Sequence, residues 1–170
     1  LSSNDVASAM TPTTPPDSDS RVLLALDGAG EEPGWFTLND DVMGGISRSK
    51  VQVADGRLLF TGTLSLENNG GFASIRSAAD TYDLTGSKGL RLLAGDERGR
   101  TGSWRKRFQV AEGEWTTVDV PFQDMVLNIR GRQYPEVGPP DLAAIRSFSF
   151  IIADKDVSPF QIEVDSISAY

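Results

Sequence analysis

The sequence predicts an all-β fold, an antiparallel β-sandwich or jelly roll, and three observations predict it. Short runs alternate apolar and polar residues with a period of two, Gly, Asp and Asn punctuate them, and no segment carries a long amphipathic helix. About nine or ten such runs in one chain read as two packed antiparallel sheets. With 170 residues, 39% of them hydrophobic, the chain is long enough to bury a core of its own.

Residues 1–20, rich in Ser, Thr, Pro and Asp, bury too little apolar surface to offset ordering entropy and are expected to form a flexible tail. The segment starts without Met and has neither a basic n-region nor an apolar h-region, so a processed or trimmed terminus is expected. Residues 21–170 are expected to form a single β-sandwich domain. Strands are predicted over 22–26, 35–38 and 47–53. In "RLLFTGTLSL", Leu58, Phe60, Gly62, Leu64 and Leu66 share one face, with Thr61, Thr63 and Ser65 on the other. Further strands are predicted over 71–77, 89–93 and 105–110. "WTTVDVPF" turns Thr116, Val118 and Val120 inward, and Pro121 closes that strand because it has no N–H for a ladder. "SFSFIIA" turns Phe148, Phe150 and Ile152 inward, and "FQIEVDSISAY" does the same with Phe160, Ile162 and Val164. "ADGR", "LTGSKG" and "AEGEW" supply turns, and "DLAAI" offers one short helical turn capped by Asp141.

The formal net charge of -8 argues against broad attraction to nucleic acid or anionic lipid, which require a positive surface. The densest basic group, Arg98, Arg100, Arg105, Lys106 and Arg107 around Trp104, reads as a solvated loop and edge strand. The absence of Cys and His removes thiolate nucleophiles, disulfides, Ser-His-Asp triads and imidazole or thiolate metal sites. No cofactor and no resident metal are expected.

Two stretches stand out, "NDDVMGGISRS" and "LENNGGFASIR", each pairing Gly-Gly with Asn or Asp. Neither has nucleotide-loop spacing, and both lead into strands where a phosphate loop would open a helix. Calcium would need oxygen ligands at short spacing, which residues 39–41 with Asp154 and Asp156 could supply only if the fold gathered them. A glycosidase would need one selected pair among Asp40, Asp41, Glu67, Asp154 and Asp156, and the sequence selects none. The remaining reading is turns that need positive φ or close backbone approach, with Met43 and Phe72 beside them as recognition residues.

At these residues the sequence resembles the complex I intermediate-associated protein 30 family. "LNDDVMGGISRS", "FTGTLSLENNGGFASIRS", "YDLTGSKGLRL", "GEWTTVDVPF" and "IRSFSFIIADKDVSPFQIEVDSISAY" follow the family's order. Between residues 90 and 108 the chain is shorter than the family pattern, which normally has room there for another strand pair. The resemblance implies a galactose-binding-like sandwich and a non-enzymatic assembly factor or scaffold. Its partners would be protein subunits of a membrane-embedded electron-transfer complex. It implies the matrix side of the mitochondrial inner membrane, or a plastid thylakoid with a photosystem as the alternative partner, with membrane attachment only through partners. It carries over no catalytic residue. Asn39, Asp40, Met43, Gly44, Gly45, Asn68, Asn69, Gly70, Gly71, Phe72 and Arg76 match its signature positions and are the candidate binding residues. A glycan-binding module, with Trp35, Trp104 or Trp115 as platform, is the alternative from the sandwich class alone.

Overall fold

Alternating side chains give each strand one apolar face and two hydrogen-bonding edges, so strands must pair edge to edge and stack face to face. A computed structural model of the protein describes residues 21–26, 34–78, 80, 82–96, 106–111, 113–129 and 132–170, apart from the side chains of Ala25, Val42, Met43, Ala144 and residues 91–96. Its strands, in chain order, are β1 (Arg21–Ala25), β2 (Trp35–Thr37), β3 (Arg48–Ala54), β4 (Arg57–Thr63), β5 (Ala73–Ser77) and β6 (Gly89–Asp96). They continue with β7 (Thr116–Pro121), β8 (Leu127–Ile129), β9 (Arg132–Tyr134), β10 (Ser149–Ile152) and β11 (Pro159–Ala169).

One sheet runs β3-β4-β11-β6-β7, all neighbours antiparallel. β11 is its central strand. On one edge it pairs first with β4, over residues 159–164, and then with β1, over residues 166–169, while β6 holds its other edge. The second sheet runs β10-β5-β2, and β8 with β9 makes a separate hairpin. β3 and β4 are joined by Asp55 and Gly56 at φ 52° and 74°, the left-handed pair that a tight hairpin turn needs.

The core lies between the sheets. Leu58 and Phe60 of β4 and Phe160, Ile162 and Val164 of β11 are buried, as are Ala73 and Ile75 of β5 and Phe150 and Ile152 of β10. Phe60 and Phe160 meet edge to face with centroids 5.0 Å apart, and Trp35 stacks on Phe150 at 6.0 Å. Period-two patterning therefore turns Leu58, Phe60, Leu64, Val118, Val120, Phe148, Phe150, Ile152, Phe160, Ile162 and Val164 inward as expected.

The structure corrects several expectations. Residues 106–110 form no strand: Phe108 and Val110 turn toward the core in alternation with exposed Arg107 and Gln109, but no ladder pairs with them. Within the basic cluster, Lys106 is tied to Asp124 at 2.7 Å, and Arg98, Arg100, Trp104 and Arg105 lie outside the described residues, as do residues 1–20. Leu66, expected inward, is 48% exposed, because β4 ends at Thr63 and a 3-10 turn over Glu67–Asn69 breaks the alternation. β6 is longer than expected, β5 starts two residues later, and the β8–β9 hairpin was not anticipated. The predicted helical turn is a 3-10 turn over Leu142–Ala144 whose Asp141 carboxylate accepts the Ala143 amide at 3.1 Å.

Candidate functional site

Register brings the two Gly-Gly loops to one end of the sandwich. Arg48 pairs with Thr63 and Thr63 with Pro159, while Ile152 pairs with Ala73 on the other sheet. Segments 38–47, 64–72 and 153–158 must therefore emerge together.

Asp40 joins the first two. It begins a 3-10 turn over Asp40–Met43, its carbonyl accepts the Gly45 amide at 2.9 Å, and its side chain is fully buried. One carboxylate oxygen, Oδ1, accepts the Ser47 amide at 3.0 Å. The other, Oδ2, accepts the Ser47 hydroxyl at 2.5 Å and, from the second loop, the Gly71 and Phe72 amides at 2.7 and 3.3 Å. The Ser47 hydroxyl in turn accepts the Ser65 amide at 2.9 Å. Burial by itself raises the carboxyl pKa, but the Ser47 hydroxyl and the Gly71, Ser47 and Phe72 amides together outweigh it and hold the group below the usual carboxylate range. The result is a carboxylate ionised at neutral pH with both oxygens occupied by hydrogen-bond donors from the two loops.

The glycines follow from this carboxylate. A Cβ on Gly45 would overlap the Asp40 carboxyl, and one on Gly70 would lie 2.6 Å from its Oδ2. Gly44 and Gly71 instead hold φ of 87° and 126°, conformations that L side chains resist. Asn68 and Asn69 sit at φ 55° and 60°, where Asn is the best tolerated non-glycine residue. Asn39 accepts the Ser49 hydroxyl at 2.7 Å.

The candidate residues thus separate. Asn39, Asp40, Gly44, Gly45, Asn68, Asn69, Gly70, Gly71 and the Phe72 backbone build one locked loop pair. The Phe72 side chain is half-buried, and that of Met43 lies outside the described residues. Arg76 is elsewhere: it is exposed on the outer face of the smaller sheet, in register with Phe36. Sequence reasoning missed Ser47 and Ser65, whose pairing has no sequence-local signal. It also missed three aliphatics, one on each loop at this end: Ile46, Leu66 and Val157, 48%, 48% and 53% exposed. Each interrupts a polar loop, and that was the available signal.

For the other readings, Asp154 and Asp156 close turns through the Asp156 and Ser158 amides. Among the described residues no three acidic side chains converge on a metal-sized point. Of the tryptophans considered as a glycan platform, Trp35 packs against the core and Trp104 lies outside the described residues. Trp115 sits under the Arg57 guanidinium at 5.1 Å, and Arg57 pairs with Glu163 at 3.3 Å, itself bonded by Gln161 at 3.0 Å.

Two facing antiparallel sheets with three loops gathered at one end define the class, a β-sandwich module. The fold is similar to the family 11 carbohydrate-binding module of the cellulosomal cellulase Lic26A-Cel5E of Clostridium thermocellum, with a TM-score of 0.60 and 15% identity, covering 88% of this chain and 93% of that one. A solution structure of CtCBM11 is similar at TM-score 0.57 and 16% identity, covering 96% of each chain. At such identities the likeness is one of fold. The sequence pattern of complex I intermediate-associated protein 30 (CIA30) matches residues 25–164, and the chain belongs to that family. No curated protein sequence gives a significant match.

Proposed function

We propose that the protein is a non-enzymatic assembly factor or scaffold that binds subunits of a membrane-embedded electron-transfer complex of the respiratory complex I type, through the loop end of its sandwich. The observation that carries the docking reading is the arrangement at that end: three loops, two of them stitched by one buried carboxylate, each presenting an exposed aliphatic side chain. Family membership supports the choice of complex. A rigid base with apolar tips favours binding of an incomplete intermediate, which leaves when the next subunit competes for the same apolar surface. No helix among the described residues is long and apolar enough to cross a membrane, which fits attachment through partners at the matrix side of the mitochondrial inner membrane.

The test is affinity purification of the tagged protein from its native membranes in mild detergent, with mass spectrometry of the captured proteins. Complex I subunits are the expected outcome. Photosystem subunits would move the same role to a plastid thylakoid, and recovery of the protein alone, even after crosslinking, would overturn it. A second reading, glycan binding, is favoured by one feature: Trp115, Arg57, Glu163 and Gln161 gathered on the outer face of the larger sheet. A glycan array without signal removes it.

A further inference from the structure

The loop end carries charge as well as apolar surface. Asp41 and Glu67 are exposed beside Ile46 and Leu66, and Asp154 and Asp156 are exposed beside Val157. Beneath them Asp40 is ionised. Among the described residues, the cations at this end are Lys155, within the third loop, and Arg48, at the start of β3. Among the described residues, exposed carboxylates therefore outnumber cations on the three loops that carry the aliphatic tips.

Resting on the docking reading above, we propose that this end receives a cationic amphipathic protein segment, one whose aliphatic side chains seat on Ile46, Leu66 and Val157 while its Lys or Arg residues face Asp41, Glu67, Asp154 and Asp156. The physical division of labour is the usual one. Apolar contact at the centre supplies the attraction, whereas the charged margin selects the partner and speeds encounter. Like charge across such a margin is repelled, so an acidic segment of equal apolarity is rejected. The chain's net charge of -8 adds long-range steering of the same sign. The Asp40 lock keeps two of the tips in place before the segment arrives, which lowers the ordering cost of binding.

Two synthetic peptides with the same aliphatic residues test this, one carrying Lys between them and the other Glu, titrated by fluorescence anisotropy against the full chain. The Lys peptide should bind at least ~tenfold more tightly than the Glu peptide, and weaken as salt rises from roughly 50 to 300 mM. Asp41→Lys/Glu67→Lys should remove most of that preference, whereas Glu136→Lys, in the turn after β9, should leave it. Neither Asp41 nor Glu67 makes a side-chain bond in the loop lock, so the charge variants keep the fold. Ile46→Ser/Leu66→Ser/Val157→Ser should weaken both peptides. If the aliphatic variant weakens both peptides equally and the charge variants change nothing, the cationic partner is wrong and the docking surface stands. If no loop-end variant affects either peptide, or Glu136→Lys acts as strongly as Asp41→Lys/Glu67→Lys, the surface itself is overturned. The identity of the assembled complex is decided separately, by the membrane purification.

Discussion

Asp40 takes four hydrogen bonds on two oxygen atoms, three of them from backbone amides on two different loops. Replacing it orphans those buried and half-buried donors, so Asp40→Ala is expected to cost about 2–5 kcal/mol at neutral pH by denaturant unfolding. Because the folded-state carboxyl titrates below its ordinary range, the unfolded chain takes up the proton first as pH falls. The stabilisation is complete above the unfolded-chain pKa and disappears as pH drops through the lower folded value. The gap between the protein and Asp40→Asn should accordingly be widest near neutrality and close on strong acidification, as acid-unfolding curves would show. A gap independent of pH would sink the assignment. The neighbouring glycines give a sharper test. Gly44→Ala meets open space and only a positive φ, a cost of about 1 kcal/mol. Gly45→Ala places a methyl inside the Asp40 carboxyl, and overpacking of this kind adds about 1–3 kcal/mol. In an Asp40→Ala background the Gly45→Ala cost should fall, with the contact to the remaining Cβ at 2.7 Å left over, while the Gly44→Ala cost is unchanged, which a double-mutant cycle measures.

At the scale of elements, β11 bears most of the sheet. It is hydrogen-bonded on both edges, and Ile167 lies fully buried between β1 and β6. Ile167→Ala is expected to cost about 2–5 kcal/mol. The β8–β9 hairpin has no such support: Ile129 is 49% exposed, and Ile129→Ser should change stability by less than about 0.5 kcal/mol. Equal effects in chemical denaturation would contradict this division. The contrast also explains what could be read in advance. β4, β10 and β11 alternate cleanly because one face of each meets the core, so period two marks them. The segment 106–110 alternates for the same reason, since Phe108 and Val110 turn inward, but periodicity reports burial and carries no information on whether a neighbouring backbone offers hydrogen bonds. β8 and β9 have three residues each and little apolar patterning, too few to register as strands.

For the whole molecule, the exposed aliphatics at the loop end contribute little to folding, so Ile46→Ser/Leu66→Ser/Val157→Ser should move the thermal midpoint by less than about 2 °C while capture of membrane-complex subunits falls. A drop in capture that tracks lost stability would instead mean that the loops serve the fold alone. The sequence by itself determined the sandwich, the inward face of its main strands, the family and the segments where backbone specialisation concentrates. Each of these is written in local spacing: alternation, Gly-Gly pairs and the order of short motifs along the chain. Only the tertiary structure decided that Asp40 is the buried link between the two Gly-Gly loops, that Gly45 and Gly70 make room for its carboxylate, and that Ile46, Leu66 and Val157 share one end. Most of those facts join separate loops, Asp40 and Gly71 lying 31 positions apart, and their physical cause is the antiparallel register of β3, β4 and β11, which returns three separate loops to the same edge of the molecule.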